Sequence, residues 1–402
     1  MDSSDNTHSP VNLILETDSV IHPLTGIGRY TYELATRFHQ MSAIDDLKLF
    51  NRGQWQNPDT IEDPGSTRPD PSDSAPLTTE KRQLKHLLTR NKLAVASYRR
   101  IIPAIHKRRL NVFSDTHIYH APNFMLLPYN GRKVVTFHDL SVLKYPQYHT
   151  DDRVGKLAPE MEKAAINADH IITDSETVRQ EVINYFGLAP NRVSAVHLAS
   201  ALNLEHSDEA SRARWLQQQQ LKDKTYFLFV STLEPRKNVS ALLRAYDQLP
   251  TNIKASHPLV LAGQLGWNSS ELRDEISSLK ARNNILLPGY LSNHQLAHLY
   301  AGATALIFPS IYEGFGLPII EAQSFGTPVI TSTVSCMPEV AGEGALLADP
   351  ADTEAISMAM QSIIEDTKLA SRLRQAGKTN ADKYSWEDTA KKTLAIYRSL
   401  AR

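Results

Sequence analysis

At 402 residues the chain is too long for a single core and predicts two domains of roughly 100–200 residues each. Its 41% apolar and 22% charged residues are those of an ordinary globular protein, and a formal charge of −1 supplies no bulk field for nucleic acid or anionic lipid. The single cysteine, Cys336, excludes a disulfide framework and a Cys-based metal site, and it fits a reducing compartment.

The opening stretch MDSSDNTHSPVNLILE is polar and acidic before a short apolar run. It lacks the basic n-region and apolar core of a signal peptide, and no run approaches the ~20 apolar residues that span a bilayer. The expectation is a cytoplasmic protein not integral to the membrane. VNLILE (11–16) reads as a buried strand, TGIGR (25–29) as a glycine turn, and YTYELATRFHQM as a helix. Residues 51–80 hold five prolines among Asp, Ser and Thr and read as a mobile surface loop.

Residues 81–109 then carry ten Lys and Arg interleaved with leucine and isoleucine. Such a segment either lies on an anionic membrane surface or is a solvated helical face packed by its apolar side. HIYHAP, KVVTFHD, HIITDS and RVSAVHLA read as further strands, and the polar stretch 200–224 as the interdomain connection. A second series follows: YFLFVST, HPLVLAG, NILLPG, ATALIFPS, TPVITS and GALLAD, with helical patterns between. Strands alternating with helices predict an α/β chain of two doubly wound parallel sheets covered on both faces, whose ligands bind at the carboxyl ends of the strands. The domain boundaries expected are 1–200 and 201–384, with 385–402 as a C-terminal helix.

The unusual residues fall at those strand ends. In TGIGR, Gly26 and Gly28 would let backbone N–H groups approach an anion at a helix start; the same glycines also suit a plain tight turn. The dinucleotide fingerprint is incomplete, because Thr31 stands at its third glycine position. In STLEPRKN, Arg236 and Lys237 sit beside a helix N-terminus, which disfavours cations. A diphosphate between them would resolve that conflict; a solvated basic turn is the alternative. In PSIYEGFGLPIIEAQSFG, Glu313 lies in a loop and Glu321 in the first turns of a helix begun by proline. Ionised acids there can accept from vicinal hydroxyls or stabilise a developing cation, or they can be an ordinary loop acid and helix-start acid. His138 and Asp139 close a strand in TFHDL, where His138 is either an acid/base and hydrogen-bonding group or a structural histidine.

Taken together, and in this order, these motifs resemble the glycosyltransferase family 4 enzymes of the GT-B fold over nearly the whole chain. EGFGLPIIE is similar to the family's E-x7-E motif, with Glu313 and Glu321 in its acid positions; EPRKN, PGYLS, TPVITS and MPEVAGEGALLADP continue in register. HPLTGIGRYTYELA resembles a branch rich in mannosyl- and rhamnosyltransferases of bacterial polysaccharide assembly. The resemblance implies two Rossmann-like domains facing each other across a cleft, the first binding acceptor and the second donor, with the C-terminal helix crossing back to the first.

It also implies roles. Arg236 and Lys237 would hold the diphosphate of a nucleotide-sugar, Glu321 the ribose and Glu313 the sugar hydroxyls. Gly314, Phe315, Gly316 and Leu317 would wrap the sugar, and LLPGY, with Gly289 and Tyr290, would lie against the base. Gly26 and Gly28 would close over the phosphates, and His138 would orient the sugar. Many members carry Arg where this chain has Thr232, which leaves Arg236 to carry that charge. The reaction implied is transfer with retention, most simply of mannose from GDP-mannose to a glycan or lipid-linked glycan. With no D-x-D in the chain, no metal and no other cofactor is expected. Lipid-linked acceptors would give residues 81–109 a purpose on the inner face of the membrane; no nucleic-acid partner is expected. The alternatives are transfer from GDP-rhamnose or a UDP-sugar, a GT-B epimerase or phosphorylase, or an inactive nucleotide-sugar-binding module.

Overall fold

The computed structural model describes residues 10–21, 24, 26–61, 104–202, 208–266, 270–280 and 284–401. Thr25 of the glycine turn, residues 62–80 of the proline-rich stretch and residues 81–103 of the basic segment lie outside them.

Two sheets are built, most of their strands from the apolar runs. The first contains β1 (Val11–Glu16), β2 (Ile44–Asn51), β3 (Gln54–Gln56), β4 (Ile118–Ala121), β5 (Lys133–Phe137), β6 (His170–Thr173) and β7 (Val193–Ala195), in the spatial order β3-β2-β1-β4-β5-β6-β7. The second contains β8 (Phe227–Val230), β9 (Leu259–Ala262), β10 (Ile285–Gly289), β11 (Ala305–Phe308), β12 (Val329–Ser332) and β13 (Ala345–Ala348), in the order β10-β9-β8-β11-β12-β13. Every residue of β4, β6, β9, β11 and β12 is buried, as expected of strands covered on both faces. Leu228 sits opposite Val260 on one side and Leu306 on the other, so the centre of the second sheet is an unbroken apolar layer. Pro288 lies on the edge strand β10, the position that tolerates a residue with no N–H to donate.

Several elements differ from the sequence expectation. β2, with Asp45, Asp46 and Lys48, is a strand that the apolar pattern does not announce. Partners accommodate its charges: His117 Nε2 lies 3.1 Å from Asp46, and the Lys48 ammonium sits 4.7 Å from the centre of the Phe113 ring. β3 runs antiparallel to β2, so the first sheet is not wholly parallel. The stretch 200–224 contains a helix, Glu209–Gln218, capped by Asp208 and anchored by the buried Leu216.

The chain forms two compact units: residues 1–137, 160–172 and 390–402 in one, and residues 138–159 and 173–389 in the other. Within the first, Tyr397 of the C-terminal helix (Trp386–Leu400) bonds His120 at 2.6 Å; His120 bonds Thr136 at 2.8 Å, and Thr136 bonds Tyr30 at 3.0 Å. All four side chains are fully buried, so the chain of bonds satisfies polar groups that would otherwise cost free energy. Among the described residues no helix is long and apolar enough to cross a membrane.

Candidate functional site

In the second sheet, β8, β9 and β10 progress to one side and β11, β12 and β13 to the other. The reversal between β8 and β11 opens a crevice at the carboxyl ends of these two strands. The sequence places its charges there. β8 leads through Glu234 into a short 3₁₀ turn, Pro235–Lys237, and then into the helix Val239–Asp247. β11 leads into the loop that carries Glu313.

The two segments meet on one carboxylate. Lys237 Nζ donates to Glu313 Oε1 at 2.5 Å, and Arg236 Nη1 donates to Glu313 Oε2 at 2.9 Å. Arg236 also donates from Nη1 to the Tyr312 carbonyl at 2.5 Å and from Nη2 to Glu234 Oε1 at 2.9 Å. All three charged partners are nearly enclosed, with side-chain exposures of 11% for Arg236, 11% for Lys237 and 8% for Glu313. Loss of water would raise the Glu313 carboxyl, but Arg236 and Lys237 outweigh it and hold it at about 2. Burial likewise opposes the Arg236 charge, and Glu313, Asp139 and Glu234 more than offset that, raising its pKa. The cations at this helix start are thus neutralised by carboxylates of the chain itself. Asn238, in the left-handed region at φ 59°, completes the turn by donating to the carbonyls of Pro309 (3.0 Å) and Pro350 (2.7 Å). It thereby ties the cationic turn to the end of β11.

The Glu313 loop is held on every side. Its backbone N–H is bonded by Ser335 Oγ at 3.2 Å, and its carbonyl accepts from Ser335 Oγ at 2.7 Å and Cys336 Sγ at 3.2 Å. The Gly314 carbonyl accepts from Ser175 Oγ at 2.8 Å, and Gly314 itself packs against the His138 backbone. His138 leaves the end of β5, and its Nδ1 lies 2.8 Å from Oδ2 of Asp174, which leaves the end of β6. Both side chains are buried; desolvation raises the Asp174 carboxyl, and His138 lowers it in part. Tyr312 donates to Glu181 Oε2 at 2.5 Å and accepts from the Leu140 N–H at 3.1 Å. His138 and Glu313, remote in sequence, are therefore parts of one braced cluster.

The remaining expected positions have other partners. Gly316 (φ 87°) caps the helix Leu317–Ser324, which begins with Leu317 and Pro318. Glu321 on that helix accepts from the Tyr300 hydroxyl at 2.7 Å. Phe315 is buried against His197 and Tyr384, so its ring is taken up by packing. Gly289 ends the edge strand at φ 75°, followed by Tyr290, which is 54% exposed. Gly26 and Gly28 belong to the first unit. There Gly28 packs so closely on the Ser19 carbonyl that a Cβ would stand 2.6 Å from its oxygen, and the Thr31 hydroxyl bonds Ser19 Oγ at 2.7 Å. Both residues lie in the helix Gly26–Gln40, so this stretch is a helix start rather than the expected glycine turn, and close packing of that helix on Ser19 accounts for Gly28 and engages Thr31.

Four carboxylates escaped the sequence reading. Glu234 and Asp174 orient Arg236 and His138. Glu339 accepts from the N–H groups of Glu176 (2.8 Å) and Thr177 (2.9 Å) at the start of the helix Glu176–Phe186, from the Thr177 hydroxyl, and from His197 at 2.8 Å. These donors overcome its desolvation and hold it at about 2. Glu16 closes β1 beside β4, at the reversal point of the first sheet, and accepts from the Tyr119 hydroxyl. Desolvation, with a contribution from Asp18, raises it to about 8. Position at a strand's carboxyl end was a usable signal for Asp174 and Glu16.

Comparison with known proteins divides the chain between the two sheets rather than between the two compact units. Residues 24–199 match the family model described as Glycosyltransferase Family 4, and residues 211–380 the model described as Glycosyl transferases group 1. The chain is 35% identical to the O-antigen chain mannosyltransferase B of Escherichia coli over 392 residues, 97% of this chain and 100% of that one. It is 32% identical to the serotype-specific mannosyltransferase WbdA of Escherichia coli over 272 residues, 64% of this chain and 32% of that longer protein. Anabaena HepE in complex with UDP is similar in structure, with a TM-score of 0.67 at 15% identity, covering 97% of this chain and 100% of HepE. The chain belongs to glycosyltransferase family 4 and has the GT-B fold.

Proposed function

We propose that the enzyme transfers a mannosyl group from GDP-mannose to a glycan or lipid-linked glycan acceptor, with retention at the anomeric carbon and without a metal ion. One observation carries the reading: the convergence of Arg236 and Lys237 on Glu313 at the carboxyl ends of β8 and β11. Two cations side by side at a helix start suit the charge that builds on a departing nucleoside diphosphate. They supply what a divalent ion would otherwise supply, and the absence of any D-x-D from the sequence agrees. Glu313 would then meet hydroxyls of the sugar, His138 would orient it, and Glu321 would accept from the ribose. The identity of the sugar rests on the mannosyltransferase relatives. For retention, the acceptor hydroxyl attacks from the face that the diphosphate leaves, and a phosphate oxygen of the donor takes its proton.

The test is a transfer assay with GDP-mannose, GDP-rhamnose and UDP-sugars in EDTA, with the product anomer read by NMR. Transfer from GDP-mannose with an axial product bond is expected. Transfer only from UDP-sugars would discard the donor, loss of activity in EDTA would discard the metal-free site, and an inverted product would discard the mechanism. Measured affinity for a nucleotide-sugar with neither transfer nor slow hydrolysis would favour a binding module.

A further inference from the structure

Both cations of the site are already engaged. A single carboxylate spans them, one oxygen to Lys237 and the other to Arg236, which is how two oxygens of a phosphoryl group would receive the same pair. Arg236 differs from Lys237 in having a second carboxylate, Glu234, on its other terminal nitrogen. Glu313 could not be replaced by solvent here, because an uncompensated buried charge is costly. It is ionised throughout the neutral range, since its carboxyl titrates only at about 2.

We propose that Glu313 is an internal stand-in for the donor diphosphate: it neutralises and orders Arg236 and Lys237 in the empty site, and it yields them when the diphosphate enters. The inference rests on the reading of these two residues as the diphosphate anchors. It gives Glu313 two successive partners. Once displaced, its carboxylate is released beside the bound donor, where sugar hydroxyls can occupy it. Glu234 stays on Arg236 throughout, so the guanidinium keeps its orientation while one edge changes partner. The exchange carries a cost: a ligand that must first displace an internal competitor binds more weakly than it would to the freed site.

That cost is measurable. Inorganic pyrophosphate, GDP and UDP would be titrated calorimetrically into wild-type protein, Glu313→Gln and Glu234→Gln. Glu313→Gln should bind pyrophosphate about tenfold tighter than wild type, a coupling of ordinary size, while losing transfer activity. Glu234→Gln removes an equal charge from Arg236 but leaves the Lys237–Glu313 bond intact, and it should bind pyrophosphate no tighter. Equal tightening in both variants would reduce the effect to general charge and overturn the proposal. Unchanged or weaker binding by Glu313→Gln would overturn it directly. If Glu313→Gln does not fold, Glu313→Asp, whose carboxylate is drawn back by one methylene, should show the same tightening at smaller size, and its absence would count equally against the proposal. Tightening of pyrophosphate without GDP or UDP binding to wild type would leave the stand-in in place and remove the nucleotide-sugar reading instead.

Discussion

A methyl group on Gly314 would stand 1.8 Å from the carbonyl oxygen of His138. No side chain fits there, so the backbone of the Glu313 loop rests directly on the segment that presents His138. Gly314→Ala must push the two apart, and overpacking of this kind costs about 1–3 kcal/mol. Displacement of a reacting group by about 1 Å can cost about 100-fold in rate. We expect transfer to fall by at least about that factor, with only a modest drop in melting temperature. A rate near wild type would show that the contact does not set the position of Glu313.

Asp174 and His138 form the second such pair. An ionised Asp174 accepts from Nδ1–H and so fixes one tautomer of the ring. The amide of Asp174→Asn can donate to Nδ1 instead, which selects the opposite tautomer. Because burial already disfavours the Asp174 charge, the variant should be about as stable as wild type. Its kcat should nevertheless fall by about 100-fold or more, by analogy with other buried Asp–His pairs. Steady-state kinetics beside a thermal melt separates the two effects; an unchanged kcat would make the pair structural.

Acid should unfold the second unit through Glu313 and Glu339. Both titrate at about 2 in the fold against 4.5 without it, so each contributes stability that is present above pH 4.5 and lost as pH falls through about 2. Removing one partner of a buried ion pair costs about 3–5 kcal/mol. Glu313→Gln should therefore be several kcal/mol less stable at pH 7 and show a flatter dependence between pH 4.5 and 2. Urea unfolding across that range checks both statements, and parallel curves for the two proteins would contradict them.

Glu16 works in the opposite direction. Its carboxyl is raised from 4.5 to about 8, so its contribution is fully present below pH 4.5 and declines as pH rises through about 8. Glu16→Gln keeps a neutral group beside Tyr119. The melting temperature of the variant should fall less than that of wild type between pH 5 and pH 9. A wild-type curve that stays level over this interval would show that Glu16 is ionised in the fold.

The strand-end positions of Arg236, Lys237, Glu313 and His138 were legible because each follows an apolar strand, with Pro235 and Gly314 marking the breaks beside the first three. What each one touches was not. Asp174 bonds a residue 36 positions away, and Glu339 bonds a backbone N–H 163 positions away. Such pairings depend on strand order, which no local pattern carries. Arg236 shows the consequence. The sequence offers a bound diphosphate or a solvated basic turn for two cations at a helix start; in the fold Glu234 and Glu313 answer them. The strands were legible where both faces are buried, as in β9 and β11, and illegible in β2, whose charged residues depend on His117 and Phe113 for their places.

The first unit closes on residues that are synthesised long after the rest of it. Tyr397 lies 277 positions beyond His120, its hydrogen-bonding partner. At about 5–20 residues per second, translation separates them by roughly 15–55 s. Through that interval the nascent first sheet waits with the face that will receive Phe38–Tyr397 ring contact and the His120 bond still uncovered. Completion of the first unit is therefore timed by elongation of the second, and a ribosome stalled before position 397 leaves a sheet whose buried polar chain cannot close.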